Sequence, residues 1–260
     1  MRPLAFLRRI TIDQWRAIDD ETARGPTPGR FDARVLAILL VATGAMIVQD
    51  YAGTGDLYAR VFPDDGGQYW ELWGFAWWAG WRVIGYLVIP LVALACMPGI
   101  RIVDFHLSLR GLTRHLWIYV VLYLAILPIV VLASRTDGFR ATYPFYANAN
   151  RSGLDLWAWE GCYALQFVAL EFFFRGFLLH GLRRAFGANA IFVMMLPYCM
   201  IHFTKPLPET IGAIIAGVVL GTLALRTRSI WGGVLIHIAV ATTMDLLALA
   251  ACPGSLPCHQ

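Results

Sequence analysis

Residues 170–179 read LEFFFRGFLL, a run of apolar side chains interrupted by one carboxylate and one guanidinium, those of Glu171 and Arg175. A charged group inside such a run costs free energy unless it is paired, binds something or reacts. The two residues are four positions apart, so on a helix they share one face and can form an ion pair. The run therefore predicts a buried helix in which the two charged residues either form a purely structural ion pair or take part in a reaction.

The composition of the whole chain is that of a membrane protein. Of its 260 residues, 58% are hydrophobic and only 15% are charged. A helix that crosses the ~30 Å hydrocarbon core needs about 20 mostly apolar residues. Seven stretches are candidates, at about 34–50, 70–97, 115–133, 155–183, 189–203, 208–225 and 229–250. The sequence predicts an all-α polytopic membrane helical bundle with about seven transmembrane helices.

Basic residues are distributed unevenly between the two ends of these spans. Fourteen arginines flank the ends that share a side with the N-terminus, whereas four arginines and one lysine flank the opposite ends. Positive residues near span ends stay in the cytoplasm. We therefore expect an integral membrane protein, surrounded by the lipid bilayer, with its N-terminus in the cytoplasm. Because the basic residues form no continuous face, the sequence indicates no nucleic-acid partner.

Two histidines in later spans are candidates for the same site as Glu171. His202 follows Tyr198 by four residues in YCMIH, and His237 ends GGVLIH. Along ideal helices from the cytoplasmic flanks, Glu171, His202 and His237 lie about 20, 22 and 13 Å deep. A carboxylate and two imidazoles in the middle region of the bilayer can meet in one polar cavity, where they can act as acid and base.

Two further carboxylates in the spans are placed outside this cavity. Glu160 shares a helix face with Glu171 but lies about 16 Å away along the axis. We expect it to be a polar group near the outer end, or the partner of a residue that the sequence does not reveal. Asp245 follows His237 by eight residues and lies about 80° round the helix. It is a candidate accessory residue, although a position near the outer membrane surface is the simpler interpretation.

Three segments, LEFFFRGFLL, YCMIHF and GGVLIHIAVATTMD, taken in order, resemble the motifs of the CPBP family, the CAAX prenyl endopeptidase and bacteriocin-processing proteins also called the ABI domain. The resemblance covers about residues 154–250. It implies an intramembrane endopeptidase in which a glutamate, helped by a histidine, activates water while a second histidine and its neighbour stabilise the oxyanion. The implied substrate is a membrane-anchored or membrane-proximal protein or peptide.

The resemblance assigns residues of this chain to each motif. Glu171 and Arg175 match the second glutamate and the arginine of the first motif. Tyr198 and His202 match the second motif, and His237 matches the histidine of the third. The predicted catalytic residues are Glu171, Arg175, His202 and His237, with Tyr198 and Asp245 as candidate accessory residues.

The sequence departs from the family pattern at two positions. Leu170 stands where the family has its first glutamate, and Ala241 stands where it has a polar residue four positions after His237. Glu171 is then the carboxylate at the right depth to be the base. Peptide hydrolysis needs only a base, a water and oxyanion donors, so no metal cofactor is expected. The alternative is a zinc ion held by the carboxylate and both histidines, Glu171, His202 and His237.

Two other functions remain as alternatives. A catalytically inactive protein with the same fold could serve in binding or assembly, which the apolar residues Leu170 and Ala241 would suit. A small membrane transporter could use the intramembrane charges as a relay.

The chain is predicted to divide into four parts. These are a cytoplasmic interfacial segment (1–33), N-terminal transmembrane spans (34–153), a CPBP/ABI-like catalytic core (154–250) and a C-terminal tail (251–260). In the tail, Cys252 and Cys258 either form a disulfide in an oxidising compartment or remain two unpaired thiols.

Overall fold

A computed structural model describes residues 3–22 and 32–251 of the chain. It is 80% helical, and the described residues form no strand. The α-helices are α1 (Pro3–Ile10), α2 (Ile12–Thr22), α3 (Ala33–Ala52), α4 (Gly55–Val61), α5 (Trp70–Val83), α6 (Ile89–Cys96), α7 (Arg110–Ala133), α8 (Asp137–Arg140), α9 (Gly153–Glu171), α10 (His180–Phe186), α11 (Ala190–Met200), α12 (Leu207–Thr227) and α13 (Trp231–Ala250). Two π-helical segments, π1 (Ile84–Val88) and π2 (Phe172–Leu179), interrupt the long helices, and short 3₁₀ turns lie at Ile102–Asp104 and Gly187–Asn189. The predicted all-α polytopic bundle is confirmed.

Six helical stretches of the described chain are long and apolar enough to cross a membrane. They are Ala33–Ala52, Trp70–Cys96, Leu112–Ala133, Gly153–Met200, Leu207–Thr227 and Trp231–Ala250. The count of seven is not confirmed, because Gly153–Met200 contains two of the predicted spans. Between those two spans the backbone of Gly187 adopts a φ of 56°, which ends α10.

The chain reverses direction at Gly187, so that α11 returns beside π2. Ile191 and Met194 of α11 and Leu179 of π2 all surround Gly221 of α12. A Cβ atom at Gly221 would lie only 2.9 Å from the Met194 side chain, so this glycine lets α12 approach closely. The helices that follow the reversal are therefore packed tightly around π2.

The run LEFFFRGFLL lies at the centre of the bundle. All eight residues of π2 are buried, and 78% of the apolar segment of Gly153–Met200 is buried, against 11–33% for the other five stretches. Phe173 packs against Tyr86 of π1 with ring centroids 4.7 Å apart. The predicted buried helix is confirmed, and its π geometry is an addition that the periodicity did not indicate.

The N-terminal helix α2 packs against the reversal at Gly187. Its Trp15 indole donates to the Thr222 hydroxyl at 3.2 Å, and its Asp19 carboxylate accepts from the Ala188 amide at 2.7 Å. Ile18 is buried in the main core. The described part of the predicted interfacial segment is thus anchored to the bundle through α2, whereas Phe6 of α1 is exposed.

The segment before α9 packs against the opposite end of α12. The Tyr143 hydroxyl donates to the Glu209 carboxylate at 2.6 Å, and Lys205 donates to the same hydroxyl at 3.3 Å. The Lys205 ammonium also lies 3.6 Å from the centroid of the Phe145 ring. This cage of two aromatic rings and a carboxylate holds the single lysine of the chain.

Candidate active site

Glu171 and Arg175 form the predicted ion pair. Glu171 is the last residue of α9, and Arg175 lies one turn further in π2, with Oε1 and Nη1 3.0 Å apart. Their side chains are 1% and 0% exposed. A buried ion pair is weak evidence for stability on its own, because desolvation offsets most of the attraction. The pair is therefore of interest for what else it touches.

The carboxylate of Glu171 also contacts His237 of α13. Glu171 Oε1 lies 3.0 Å from His237 Nδ1, and the same nitrogen lies 3.0 Å from the backbone oxygen of Gly233. Gly233 makes this contact possible, since a Cβ atom there would collide with Glu171 Oε2. Both acceptors favour a proton on Nδ1, which leaves a lone pair on Nε2.

Tyr198 of α11 closes the network. Its hydroxyl lies 2.8 Å from His237 Nε2, and it is the donor when the imidazole proton is on Nδ1. The Arg175 guanidinium carbon lies 4.0 Å from the centroid of the Tyr198 ring, a cation–π contact. Glu171, Arg175, Tyr198 and His237 thus form one closed set of contacts that joins π2, α11 and α13.

His202 lies beside this set and is joined to it through Tyr198. Its Nδ1 lies 2.7 Å from the Tyr198 backbone oxygen, and the two rings are 4.9 Å apart between centroids. A carbonyl oxygen can only accept, so Nδ1 carries the proton and Nε2 keeps its lone pair. His202 is partly exposed, at the turn that follows α11. Of the three residues expected to converge, Glu171 and His237 are in direct contact, and His202 reaches them through Tyr198.

Asp245 lies outside this network and is not at a surface. Its side chain is completely buried, and the Trp159 indole donates to Oδ2 at 2.6 Å. The position of Asp245 near the outer end of its span stays a prediction. Helix α9 packs along α13 and covers the Asp245 side chain with the Trp159 ring. As an accessory to His237, Asp245 makes no contact that would support the role.

Glu160 has a partner that the sequence did not reveal. The Thr242 hydroxyl of α13 donates to Glu160 Oε2 at 2.7 Å, and Glu160 is buried. The expected separation from Glu171 along α9 holds, because the two carboxylates contact different residues of α13. Thr242 lies five residues beyond His237 and Glu160 eleven residues before Glu171.

Aromatic rings fill the space between Asp245 and His237. Trp159, Tyr163 and Phe167 follow one another at every fourth position of α9, with neighbouring centroids 4.8 and 4.7 Å apart. Phe167 in turn stacks on the His237 imidazole at 5.3 Å. The spacing of these aromatics was visible in the sequence, and it is the signal by which Phe167 could have been recognised as a neighbour of the site.

The two residues that depart from the family pattern both lie in apolar surroundings. Ala241 is buried in the cluster that contains Trp159, Tyr163 and Phe167. Leu170 is buried in the main core. Rings and aliphatic side chains thus occupy the surroundings where the family pattern has polar groups.

The donor set fits a zinc ion poorly. Catalytic zinc needs three ligands with free lone pairs converging on one point. Here both nitrogens of His237 have hydrogen-bond partners, and Glu171 is already neutralised by Arg175. Within the part of the chain that the structure describes, no group of three or more histidine, cysteine or acidic side chains could hold a metal ion.

Fold and site together define a polytopic membrane protein with a network of polar side chains among its helices. A family model described as type II CAAX prenyl endopeptidase Rce1-like matches residues 153–243. The match begins at the first residue of α9 and ends within α13, so it includes all four predicted catalytic residues. It confirms the resemblance and supports a CAAX protease-type intramembrane peptidase. Comparison with curated proteins and with solved structures found no match.

Proposed function

We propose that this protein is an intramembrane endopeptidase that hydrolyses a peptide bond in a membrane-anchored or membrane-proximal protein or peptide. The observation that carries the proposal is the 3.0 Å contact between Glu171 Oε1 and His237 Nδ1. This contact orients the His237 imidazole, and Tyr198 joins it to a second imidazole, that of His202. Both rings are partly exposed. Two imidazoles with different hydrogen-bond partners can divide the work of base and oxyanion donor.

The resemblance gives water activation to a glutamate, and the contacts of Glu171 favour a different assignment. Its Oε1 is shared by Arg175 and His237, and its Oε2 is pressed against Gly233. A water molecule therefore has little access to either oxygen. We assign water activation to His202, whose Nε2 has a free lone pair, and make Glu171 a positioning residue that acts through His237.

In the proposed reaction the water oxygen attacks the carbonyl carbon of the scissile bond while its proton passes to His202 Nε2. The oxygen of the tetrahedral intermediate gains its negative charge beside His237 and the Tyr198 hydroxyl. In the proposed state His237 carries a proton on both ring nitrogens, so that Nε2 no longer accepts from Tyr198 and both Nε2–H and the hydroxyl can donate to the oxyanion. The Glu171 carboxylate faces the Nδ1–H of this ring and offsets its charge. When the carbon–nitrogen bond breaks, His202 returns the proton to the leaving nitrogen.

We propose that the reaction needs no metal, and that the substrate reaches the site from within the lipid bilayer. His202 and His237 are the partly exposed members of the network, and Phe203, which follows His202, has an exposed side chain. A cytoplasmic N-terminus is proposed from the distribution of arginines. A bacterial inner membrane is proposed from the family resemblance.

Cleavage of a lipid-anchored reporter peptide by the purified protein in proteoliposomes tests the proposal. We expect His202→Ala, His237→Ala and Glu171→Gln each to lose activity. Glu160→Gln is the matched control, because Glu160 is a buried glutamate of the same helix that contacts Thr242 and not the histidines. Equal turnover by the wild type and the three site variants would refute the proposal.

The apolar packing of Leu170 and Ala241 supports a second candidate, a non-catalytic membrane protein that uses the same network to hold a partner. In that case no substrate is cleaved by the wild type, and Glu171→Gln lowers stability or partner binding. Comparing membrane and secreted protein termini in cells with and without this protein distinguishes the two functions.

A further inference from the structure

Two residues other than glycine adopt a left-handed backbone conformation and lie side by side in this bundle. In the described part of the chain only His106 and Arg228 combine a side chain with a positive φ, of 63° and 53°. Each directly precedes one member of the isolated bridge between Leu107 and Ser229. The two strained residues therefore occupy equivalent places in the two segments of the chain that meet at this bridge.

This strain calls for an explanation, because glycine would adopt the same backbone at no steric cost. Arg228 follows the last residue of α12, a place where glycine is the usual choice. The conformation is held by the Ile230 amide, which donates to the His106 oxygen at 3.0 Å. Residues in unfavourable backbone regions concentrate at functional sites, which makes the side chains of Arg228 and His106 candidates for a function.

His106 supports a second histidine. Its Nε2 lies 3.1 Å from Nδ1 of His180, the first residue of α10. Burial, followed by the charges of His180, Arg183 and Arg228, lowers the pKa of His106 to about 3, so its ring is neutral. With the His106 proton on Nε2, His180 Nδ1 accepts and its Nε2 becomes a donor. His106 thus holds the ring of His180 in a fixed orientation.

His180 lines a cleft of about 630 Å³ at the arginine-rich end of the bundle. Arg183, Arg184 and Arg228 line the same cleft, as do two carboxylates of α2, those of Asp20 and Glu21. The guanidinium groups outnumber the carboxylates by one. The lining of the cleft therefore carries a net positive charge, and none of its residues belongs to the proposed active site.

One of the two carboxylates is already engaged. Glu21 accepts from Arg183 at 2.8 Å and from Arg226 at 2.9 Å. No ion pair is found for Arg184 or Arg228 among the residues that the structure describes. Two guanidinium groups and an oriented imidazole are thus available to an anion in the cleft.

We propose that this cleft binds a phosphate group through Arg228, Arg184 and His180. Guanidinium groups bind phosphate through paired N–H donors, and such bonds are shorter and stronger than those between neutral groups. The group can belong to a free phosphate ester or to the headgroup of an anionic phospholipid, which a basic surface at a membrane face attracts. The left-handed Arg228 is kept, against the preference for glycine, because its guanidinium binds this group.

The test measures binding and does not depend on any peptidase activity. Protein purified in a neutral maltoside detergent is melted with inorganic phosphate, with chloride at equal ionic strength, and in mixed micelles with phosphatidylglycerol or phosphatidylcholine. We expect phosphate or phosphatidylglycerol to raise the melting temperature of the wild type by about 3 °C at saturation.

Arg228→Gly separates binding from folding. Glycine accepts the left-handed backbone, so the free variant is expected to melt at the same or a higher temperature than the wild type. Its affinity for the ligand should fall about ten-fold or more, since a charged hydrogen-bond donor is lost. Arg16→Gln is the control, because Arg16 is an exposed arginine of α2 that does not line the cleft.

A response to inorganic phosphate supports a free phosphate ester as ligand, and a response to phosphatidylglycerol alone supports a lipid headgroup. Three results would overturn the proposal: no stabilisation by either probe, undiminished affinity in Arg228→Gly, or an equal loss in Arg16→Gln, which would mean that only general surface charge is involved.

Discussion

Phe167 stacks on the imidazole of His237, with the two ring planes inclined by only 17°. His237 is thereby held on three sides, by this ring, by the Glu171 carboxylate and by the Tyr198 hydroxyl. An imidazole with so many contacts keeps one orientation, and preorganised donors are effective because they need no reorganisation during the reaction.

Replacing Phe167 by leucine should loosen His237 without removing a polar group. We expect kcat to fall by about ten-fold, as for a loss of about 1.4 kcal/mol of transition-state stabilisation, with KM little changed. Steady-state kinetics on the reporter peptide measure both constants. A change confined to KM would show that Phe167 contacts substrate and does not position His237.

Glu171→Gln should be much more damaging to stability than Glu160→Gln. Removing one partner of a buried ion pair leaves Arg175 uncompensated and costs about 3–5 kcal/mol. Glu160 loses only a hydrogen bond to Thr242, for which about 1 kcal/mol is typical. Denaturant titration of the purified variants measures both free energies of unfolding, and similar losses would contradict a special role for the Glu171 pair.

Replacing both charges of the pair should separate stability from activity. In Glu171→Leu/Arg175→Met no buried charge is left unpaired, so most of the stability lost in Glu171→Gln should return. Activity should stay absent, because nothing then orients His237. A double variant as active as the wild type would exclude the positioning role that we propose for Glu171.

Gly233→Ala should disturb the site through a single methyl group. Its Cβ would collide with Glu171 Oε2, which must move away from His237. We expect activity to fall by at least about ten-fold, since small misplacements in an active site cost this much. Gly161→Ala in α9 is the control, because a Cβ there meets nothing within 4 Å and alanine favours the helix by about 1 kcal/mol.

The stability of the protein should rise as the pH rises from about 8 to 10. Burial, opposed in part by Glu209, lowers the pKa of Lys205 to about 8. Between this value and the usual one near 10.4 the unfolded chain binds more protons than the folded chain, which favours folding as pH increases, by up to about 3 kcal/mol.

The comparison with Lys205→Met isolates this effect from other titrations. Methionine keeps most of the apolar stem and carries no ionisable group, so the variant should lack the rise that the wild type shows. Free energies of unfolding at several pH values provide the measurement. Identical slopes in the two proteins would mean that Lys205 titrates normally.

Chelation should leave peptidase activity intact. Both nitrogens of His237 are engaged and Glu171 is neutralised by Arg175, so the site offers no open set of three ligands. We expect the rate after treatment with EDTA and gel filtration to equal the untreated rate. Loss of activity that zinc restores would instead favour the metal-dependent mechanism.

Periodicity and residue spacing were sufficient to predict the features that depend on a single helix. The pairing of Glu171 with Arg175 follows from their separation by four residues, and the burial of LEFFFRGFLL follows from its composition. Helical depth alone placed both Glu171 and His237 in the middle region of the bilayer. These predictions needed only the geometry of an ideal helix.

Contacts between two helices could not be predicted from the geometry of a single helix. The contacts of Asp245 with Trp159 and of Glu160 with Thr242 require the register between α9 and α13, which no single-helix argument supplies. The π geometry of π2 also changes the angular phase of all residues that follow it, so side-chain directions beyond Phe172 drift from those of an ideal α-helix. The reversal at Gly187 depends on one backbone angle.

The burial of Leu170 limits how this position can change. A glutamate introduced there would place a second carboxylate, beside Glu171, in an apolar core, at a cost of several kcal/mol. A single mutation towards the common family motif would therefore lower stability. The glutamate would be tolerated only together with changes among the apolar neighbours of Leu170.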